Sequence, residues 1–198
     1  MFTNGMVDMR ANTSITQNKD KEIWFAMRAP FCREMEADRL LKARDIESFV
    51  PMSYRVVVKR NGTKSREFVP SVHNLIFVHT TPHIMRDVKK EIAILQYCVR
   101  REDGKNLPII VPDGDMEQFI AVTKHRNEKL IYLKPEEIDL KKGSRVRVVG
   151  GLFDGVVGIF MKIKGIRNRR VVIRIGDIAA VAMAEISPDL IEVLPDES

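Results

Sequence analysis

The sequence has few of the features that mark secreted or membrane proteins. Its 198 residues include only two cysteines, Cys32 and Cys98, which cannot build a disulfide framework and lack the spacing of a zinc motif. No stretch approaches the roughly 18 apolar residues of a membrane-spanning helix. The polar residues 1–20 lack the apolar centre of a signal peptide. We therefore expect a cytoplasmic protein that does not contact a membrane.

Aromatic residues are also scarce, at 7% of the chain, but apolar residues make up 44%, enough to bury a core. The charge is unevenly distributed. Residues 141–174 contain ten basic residues and one acid, whereas residues 175–198 contain six acids and no basic residue. The net charge of +6 fits a protein that works beside nucleic acid. On composition alone, a merely soluble basic surface is an equal alternative.

Motifs for catalysis or bound cofactors are missing too. The glycine-rich stretch 143–158 could cradle a phosphate, but an Ile-Phe pair follows it where a phosphate-binding loop needs lysine and serine or threonine. His79 and His83 are four residues apart, but Pro82 places only His83 on the predicted helix, which disfavours a shared metal ion. We predict no enzymatic activity, no cofactor and no metal site.

Strand and helix patterns alternate along the first 125 residues. Thr81 is the expected helix cap, and Asn61-Gly62 and Asp103-Gly104 are the expected turns. The predicted elements are strands at 23–28, 49–59, 66–78, 95–99 and 109–111, with helices at 31–44, at 82–91 and from 113 onward. This order predicts a ferredoxin-like (split βαβ) domain, with helices on one face of an antiparallel sheet.

The composition divides the chain into four segments. Residues 1–21 are expected to be a disordered leader, 22–125 the ferredoxin-like domain, and 126–140 a linker. Residues 141–198 contain several short strand patterns, which predict a small β-barrel and an α+β fold class overall. The alanine-rich residues 178–186 suit a helix or a strand, so a C-terminal domain that switches fold is an alternative.

Two further patterns concern surfaces. The continuous apolar run NLIFV at 74–78 predicts a strand covered on both faces, the second face either by a partner or by the chain's own hairpin. Basic residues gather at the tip of the hairpin predicted around Asn61-Gly62, where they either face solvent or contact nucleic acid. The sequence leaves both pairs of alternatives open.

Several segments resemble the NusG family of transcription factors. Residues 22–28 (EIWFAMR), 49–52 (FVPM) and 72–78 (VHNLIFV) occur in the order found in the NusG N-terminal domain. Residues 142–158 (KGSRVRVVGGLFDGVVG) resemble the KOW motif that follows that domain. The details are most similar to the specialised UpxY-like antiterminators of capsular polysaccharide operons. The resemblance implies a NusG N-terminal domain followed by a small SH3-like KOW β-barrel.

The resemblance also implies a function. In the family, the N-terminal domain docks an apolar depression onto the clamp helices of RNA polymerase and bridges to the gate loop, which suppresses pausing and termination. We therefore expect an operon-specific processive antiterminator that meets RNA polymerase and the non-template DNA strand or nascent RNA. The candidate residues are Val72, Leu75, Phe77 and Tyr97 for the clamp helices, Arg86 and Asp87 for the gate loop, and Arg28, Arg33, Lys59, Arg60 and Lys64 for nucleic acid.

The chain departs from the family pattern in two places. The usual Pro-Gly-Tyr is here His73-Asn74-Leu75, so an aromatic clamp contact is lost. The loop near Ile175 lacks the aromatic residue through which the general factor contacts a ribosomal protein, so a ribosomal or antagonist protein partner stays open. The alternatives are an RNA-binding or ribosome-associated KOW module acting through residues 141–174, and a general NusG-type elongation factor.

Overall fold

The computed structural model of the chain describes residues 21–124, 130–133, 143–175, 179–182 and 188–195. The expected leader, 1–21, lies almost wholly outside these residues. The helices are α1 (Glu34–Lys42), α2 (Pro82–Glu91) and α3 (Asp113–Lys124). The strands up to α3 are β1 (Ile23–Arg28), β2 (Glu47–Phe49), β3 (Met52–Val58), β4 (Lys64–Pro70), β5 (Leu75–Thr80), β6 (Gln96–Tyr97), β7 (Val99–Glu102), β8 (Lys105–Pro108) and β9 (Ile110–Val111). The strands after α3 are β10 (Ile131–Leu133), β11 (Ser144–Val148), β12 (Val157–Met161), β13 (Arg170–Ile175), β14 (Ala179–Ala182) and β15 (Ile191–Val193).

The first sheet is built around β1 and β5, which pair antiparallel from Ile23 opposite Thr80 to Arg28 opposite Leu75. The strand order is β2-β5-β1-β6, and β9 also pairs with β1. Residues 24–27 and 75–78 are buried without interruption. Both central strands are therefore covered on both faces, as the apolar run at 74–78 predicts.

Helices cover both faces of the first sheet, whereas the sequence predicts helices on one face only. α1 and α2 pack against one face through residues that include Leu41 and Met85. α3 packs against the other face through residues that include Met116 and Phe119. The prediction is wrong because alternate residues of β1 and β5 are apolar on both sides, so the second face also needs a cover. α3 supplies it, rather than the hairpin.

Turns with left-handed residues shorten two of the predicted elements. The helix predicted at 31–44 begins at Glu34, because Phe31 and Cys32 have φ angles of +63° and +55°, outside the helical region. The strand predicted at 66–78 is divided into β4 and β5 by a turn that ends at Asn74, with φ of +63°. Asparagine tolerates this conformation, whereas each of the other two residues adopts it at a cost of about 1–3 kcal/mol.

Short-range signals place α2 as predicted. Pro82 is its first residue, and the Oγ1 atom of Thr81 accepts a hydrogen bond from the backbone N–H of Ile84 at 3.3 Å. The helical spacing predicts that Ile84, Met85 and Val88 face inward. Met85 and Val88 are buried. Ile84, also expected to face inward, is 42% exposed because it lies beside the inward-facing row rather than on it.

Two hairpins lie outside the large sheets. β3 and β4 form one, which turns at Asn61-Gly62, and β7 and β8 form the other, which turns at Asp103-Gly104. Gly62 has a φ of +79°, and Asp103 and Gly104 have φ values of +49° and +75°. Both turns were predicted, but the strand predicted at 49–59 is divided between β2 and β3, and the one at 95–99 between β6 and β7.

The C-terminal strands form a second, six-stranded antiparallel sheet in the order β10-β14-β13-β12-β11-β15. Within the described residues, β10 and β15 lie at opposite edges, so the closed barrel predicted for 141–198 is not found there. The sheet extends into the expected linker, since β10 lies within 126–140. The ambiguous segment 178–186 forms strand β14 over the part that is described.

The glycines of 143–158, which lack the phosphate-binding pattern, have a structural role. A Cβ atom at Gly158 would lie 2.8 Å from both the Cγ1 atom of Val171 and the carbonyl oxygen of Val172. Only glycine therefore allows β12 to approach β13 this closely. Gly150 and Gly151 form the turn after β11 with φ angles of +83° and +74°.

One apolar cluster joins the two sheets through α3. The Oε1 atom of Gln118 on α3 accepts a hydrogen bond from the backbone N–H of Val157 on β12 at 3.0 Å. The buried residues of this central cluster are Trp24, Ala26, Leu75, Phe77, Val111, Met116, Phe119, Val122, Val146, Val148, Phe153, Val156, Val171, Ile173 and Ile175. Among the described residues, no helix is long and apolar enough to cross a membrane.

Candidate functional site

The four residues expected to contact the clamp helices do not share one face. Leu75 and Phe77, at 3% and 0% exposure, point from β5 into the central cluster, and Val72 is half-buried at its edge. Tyr97 packs on the opposite face of the sheet, where its ring lies 6.1 Å from the ring of Phe25. The structure thus brings three of these residues together and separates the fourth.

Aromatic side chains cover Phe77. The ring of Phe119 on α3 lies 5.8 Å from Phe77 and 5.8 Å from Phe49, both edge to face. On its other side, Phe119 lies 6.4 Å from Tyr132 of β10. Burial raises the pKa of the Tyr132 phenol, and the neighbouring Ser71 hydroxyl partly offsets this rise. A partner can reach Phe77 only if α3 moves, whereas the edge at Val72 is already open.

Tyr97 instead shares a surface with the two expected gate-loop residues. A shallow depression of about 560 Å³ is lined by His83, Arg86, Asp87, Lys89, Lys90 and Tyr97. Asp87 accepts a hydrogen bond from Lys90 at 2.8 Å, which lowers the pKa of its carboxyl. The ammonium group of Lys89 lies 5.7 Å from the centre of the Tyr97 ring. The surface is therefore mainly cationic, with the ring of Tyr97 on one side.

Lys59, Arg60 and Lys64 are exposed at the tip of the β3–β4 hairpin. Backbone hydrogen bonds hold this tip, with Lys59 N–H donating to the Thr63 carbonyl at 2.9 Å. None of the three cations forms an ion pair with another residue in the described part of the chain. Three unpaired cations on one turn can attract a phosphate backbone, which is one of the two alternatives that the sequence leaves open here.

The two arginines near the first turn differ in their availability. Arg28, at the end of β1, is exposed. Arg33 donates to both carboxylate oxygens of Glu36, from Nε at 2.7 Å and from an Nη atom at 2.9 Å. This pairing raises the pKa of Arg33 and lowers that of Glu36. Arg33 must exchange Glu36 for a phosphate before it binds nucleic acid, whereas Arg28 need not.

An exposed apolar face of the same hairpin was not identified from the sequence. Tyr54 and Phe68 face each other across the two strands with ring centres 5.0 Å apart, and the guanidinium of Arg66 lies 4.2 Å from the Tyr54 ring centre. Val56 and Val58, on the same face, are 62% and 61% exposed. The signal in the sequence is the alternation of residues 54, 56 and 58, read together with Phe68 across the turn.

His79 and His83, which the sequence places four residues apart, have different neighbours in the structure. His79 pairs with Glu47, with Nδ1 2.9 Å from a carboxylate oxygen, and stacks on Trp24 at 4.7 Å. His83 lies on α2, where its Nδ1 atom is 3.6 Å from a carboxylate oxygen of Asp87. These two histidines therefore have separate partners.

Comparison with known proteins gives the family. The family described as "Transcription termination factor nusG" matches residues 22–120, which is half of the chain. The chain belongs to the NusG family. No curated protein is significantly similar to it. A solved structure titled "Domain interaction in Thermotoga maritima NusG" is 16% identical and covers 88% of this chain and 98% of that one, with a TM-score of 0.42.

Membership of the NusG family makes the chain a transcription factor that acts during elongation or termination. Proteins of this family are non-enzymatic and bind RNA polymerase. The matched residues include both the open edge of the central cluster at Val72 and the whole β3–β4 hairpin. Both of these surfaces are therefore parts of the region that matches the NusG family.

Proposed function

We propose that this NusG-family chain is an operon-specific processive antiterminator, similar to the UpxY-like factors of capsular polysaccharide operons. It binds the clamp helices of RNA polymerase at the edge of the central cluster around Val72, with Arg86 and Asp87 toward the gate loop. A bridge that fits only the closed clamp shifts the polymerase toward closure and so suppresses pausing and termination. In this proposal residues 22–125 form the ferredoxin-like polymerase-binding domain and 141–198 the KOW domain.

The observation that carries the proposal is the family match over residues 22–120, which includes the open edge of the central cluster at Val72. The strand order of the first sheet, β2-β5-β1-β6 with α1 and α2 as crossovers, is that of a split βαβ domain and supports the domain assignment. Contact through Val72 needs no rearrangement. Contact through Leu75 or Phe77 requires α3 to leave its position over the sheet.

The experiment is a polymerase-binding and read-through assay with a charge placed at this edge. Val72→Asp is expected to weaken binding to purified core polymerase by about tenfold or more, because a carboxylate cannot enter an apolar contact without losing its hydration. Val193→Asp is the matched control on β15, where the side chain is 70% exposed, and it should bind normally. Circular dichroism checks that both variants are folded. Unchanged binding of a folded Val72→Asp protein would exclude this docking edge.

Antitermination itself is tested by transcription in vitro on templates that carry candidate leader sequences before a terminator. The expected result is increased read-through with one leader and not with others. Equal read-through on every template would instead support a general elongation factor.

A second candidate function is RNA or ribosome binding by the C-terminal sheet. Lys162, Lys164, Arg167 and Arg169 are exposed on the loop between β12 and β13, which contains no acid. Replacing all four by glutamine in the full chain distinguishes the functions. If the variant loses both salt-dependent RNA binding and read-through activity, the second function is favoured. If it loses RNA binding but keeps read-through activity, the antitermination proposal stands.

A further inference from the structure

Two turns meet at one end of the first sheet. The turn after β1 contains Cys32, and the turn before β5 contains His73 and Asn74. Asn74 holds the two turns together, since its side-chain oxygen accepts from the Cys32 N–H at 2.9 Å and its carbonyl accepts from the Ala29 N–H at 2.9 Å. The Sγ atom of Cys32 consequently lies 3.8 Å from the Nδ1 atom of His73, although the residues are 41 positions apart.

The first residue of α1 brings a carboxylate to the same place. One carboxylate oxygen of Glu34, the Cys32 thiol and a ring nitrogen of His73 all lie within 4.8 Å of one another. Glu34 is only 1% exposed, and its Oε2 atom has no hydrogen-bond partner among the described residues. A buried carboxylate oxygen without a partner is costly, so its position requires a compensating group.

We propose that Cys32, Glu34 and His73 form a binding site for a zinc ion or a similar borderline-soft divalent cation. Tetrahedral zinc holds sulfur at about 2.3 Å and imidazole nitrogen at about 2.0–2.1 Å, which places the two ligand atoms about 3.6 Å apart. The 3.8 Å between Sγ and Nδ1 is close to this separation. This site goes beyond the proposed function, because neither polymerase binding nor nucleic-acid binding requires it.

The charges also favour a divalent ion. A thiolate and a carboxylate together carry two negative charges, which one divalent cation neutralises, while the neutral imidazole adds a third ligand. Binding releases the thiol proton to solvent. Cys32 and His73 are exposed, so the ion enters from solvent, and the fourth position stays available to water or to a partner's side chain. The ion would hold together the turn after β1 and the turn before β5, at one end of the first sheet.

The test is a zinc titration of the full-length chain, stripped with chelator, in competition with a chromophoric zinc indicator. The expected result is one ion per chain, and thiolate-to-cobalt charge-transfer absorption when Co²⁺ replaces zinc. Cys32→Ser and His73→Gln should each weaken the affinity by at least about tenfold. Cys98→Ser and His83→Gln, which remove the other cysteine and an exposed histidine, should bind as the unmodified chain does.

A second measurement uses the unmodified chain and does not depend on whether a variant folds. Zinc at a concentration far above its Kd should slow alkylation of Cys32, followed by mass spectrometry, and should raise the melting temperature. Zinc binding that survives in Cys32→Ser and His73→Gln, or that is lost in Cys98→Ser, would overturn the proposal. So would unaltered alkylation of Cys32 in the presence of zinc. Neither readout involves polymerase, so the outcome is independent of the antitermination proposal.

Discussion

Strand β5 and the β3–β4 hairpin are both rich in apolar residues, but the chain covers only one of them. β5 lies between two helical layers, with Phe77 at 0% exposure. The hairpin leaves Val56 and Val58 about 60% exposed beside a tyrosine–phenylalanine pair. An apolar side chain that the chain itself buries contributes mainly to stability, whereas one left in solvent is available to a partner. Substitutions in the two regions should therefore affect different measurements.

The largest expected difference between the regions is in stability. Phe77→Ala should lower the free energy of unfolding by about 3–5 kcal/mol, because it leaves a cavity beside Phe119. Val58→Ala should change it by less than about 0.5 kcal/mol, since that side chain is 61% exposed. Urea unfolding followed by circular dichroism measures both. Similar losses in the two variants would contradict the contrast between buried and exposed strands.

The buried side of the comparison should also affect stability at alkaline pH. Burial beside the central cluster raises the pKa of the Cys98 thiol to about 11 from an ordinary value of 9.0. The folded state keeps this proton longer than the unfolded state. The contribution of the Cys98 thiol to the free energy of unfolding is therefore fully present below pH 9 and is lost as the pH rises to 11. The loss amounts to at most about 2–3 kcal/mol.

Cys98→Ala isolates this effect from the titration of lysines and tyrosines. The difference in unfolding free energy between the unmodified chain and the variant should shrink steadily between pH 9 and pH 11. A Cys32→Ala variant serves as the control, because Cys32 is exposed. A difference for Cys98→Ala that is constant across this range would show that the thiol is not desolvated.

How far the sequence predicts the fold depends on the range of the signal. Thr81-Pro82 correctly predicts the start of α2, and Asn61-Gly62 correctly predicts the turn between β3 and β4. Both signals succeed because caps and tight turns depend on neighbouring residues. The start of α1 was missed because Phe31 and Cys32 adopt positive φ angles that their residue types disfavour.

Long-range packing explains what the sequence did not predict about the site. The apolar run at 74–78 predicts a strand covered on both faces but does not reveal that α3 is the second cover. The family resemblance groups Tyr97 with Leu75 and Phe77, but the register of β6 on β1 places Tyr97 on the opposite face. Which face a short strand presents depends on its pairing, and a shift of one residue reverses it.

On the exposed side, the aromatic pair of the hairpin should contribute to binding single-stranded nucleic acid. Tyr54→Ser combined with Phe68→Ser should weaken binding of a single-stranded oligonucleotide by about 1–3 kcal/mol if one base stacks on this face. Val99→Ser on the other hairpin, where the side chain is 49% exposed, is the control and should have no effect. Fluorescence anisotropy measures the affinities. Equal affinity in the double variant would mean that the exposed face serves a protein partner instead.

The smallest expected effect comes from the cations at the hairpin tip, because each acts through solvent. Replacing Lys59, Arg60 and Lys64 by glutamine should weaken binding at low salt and reduce the slope of log K against log salt by about 2, since each contacted phosphate of a single strand contributes about 0.7. A triple variant on the β7–β8 hairpin, with Arg100, Arg101 and Lys105 replaced by glutamine, removes the same charge and should leave the slope unchanged, although Arg100 is paired with Glu102. If both triple variants reduce the slope equally, the attraction is a property of the whole basic surface, and the β3–β4 tip is not a distinct site. A change confined to the β3–β4 variant would instead show that this hairpin meets the phosphate backbone.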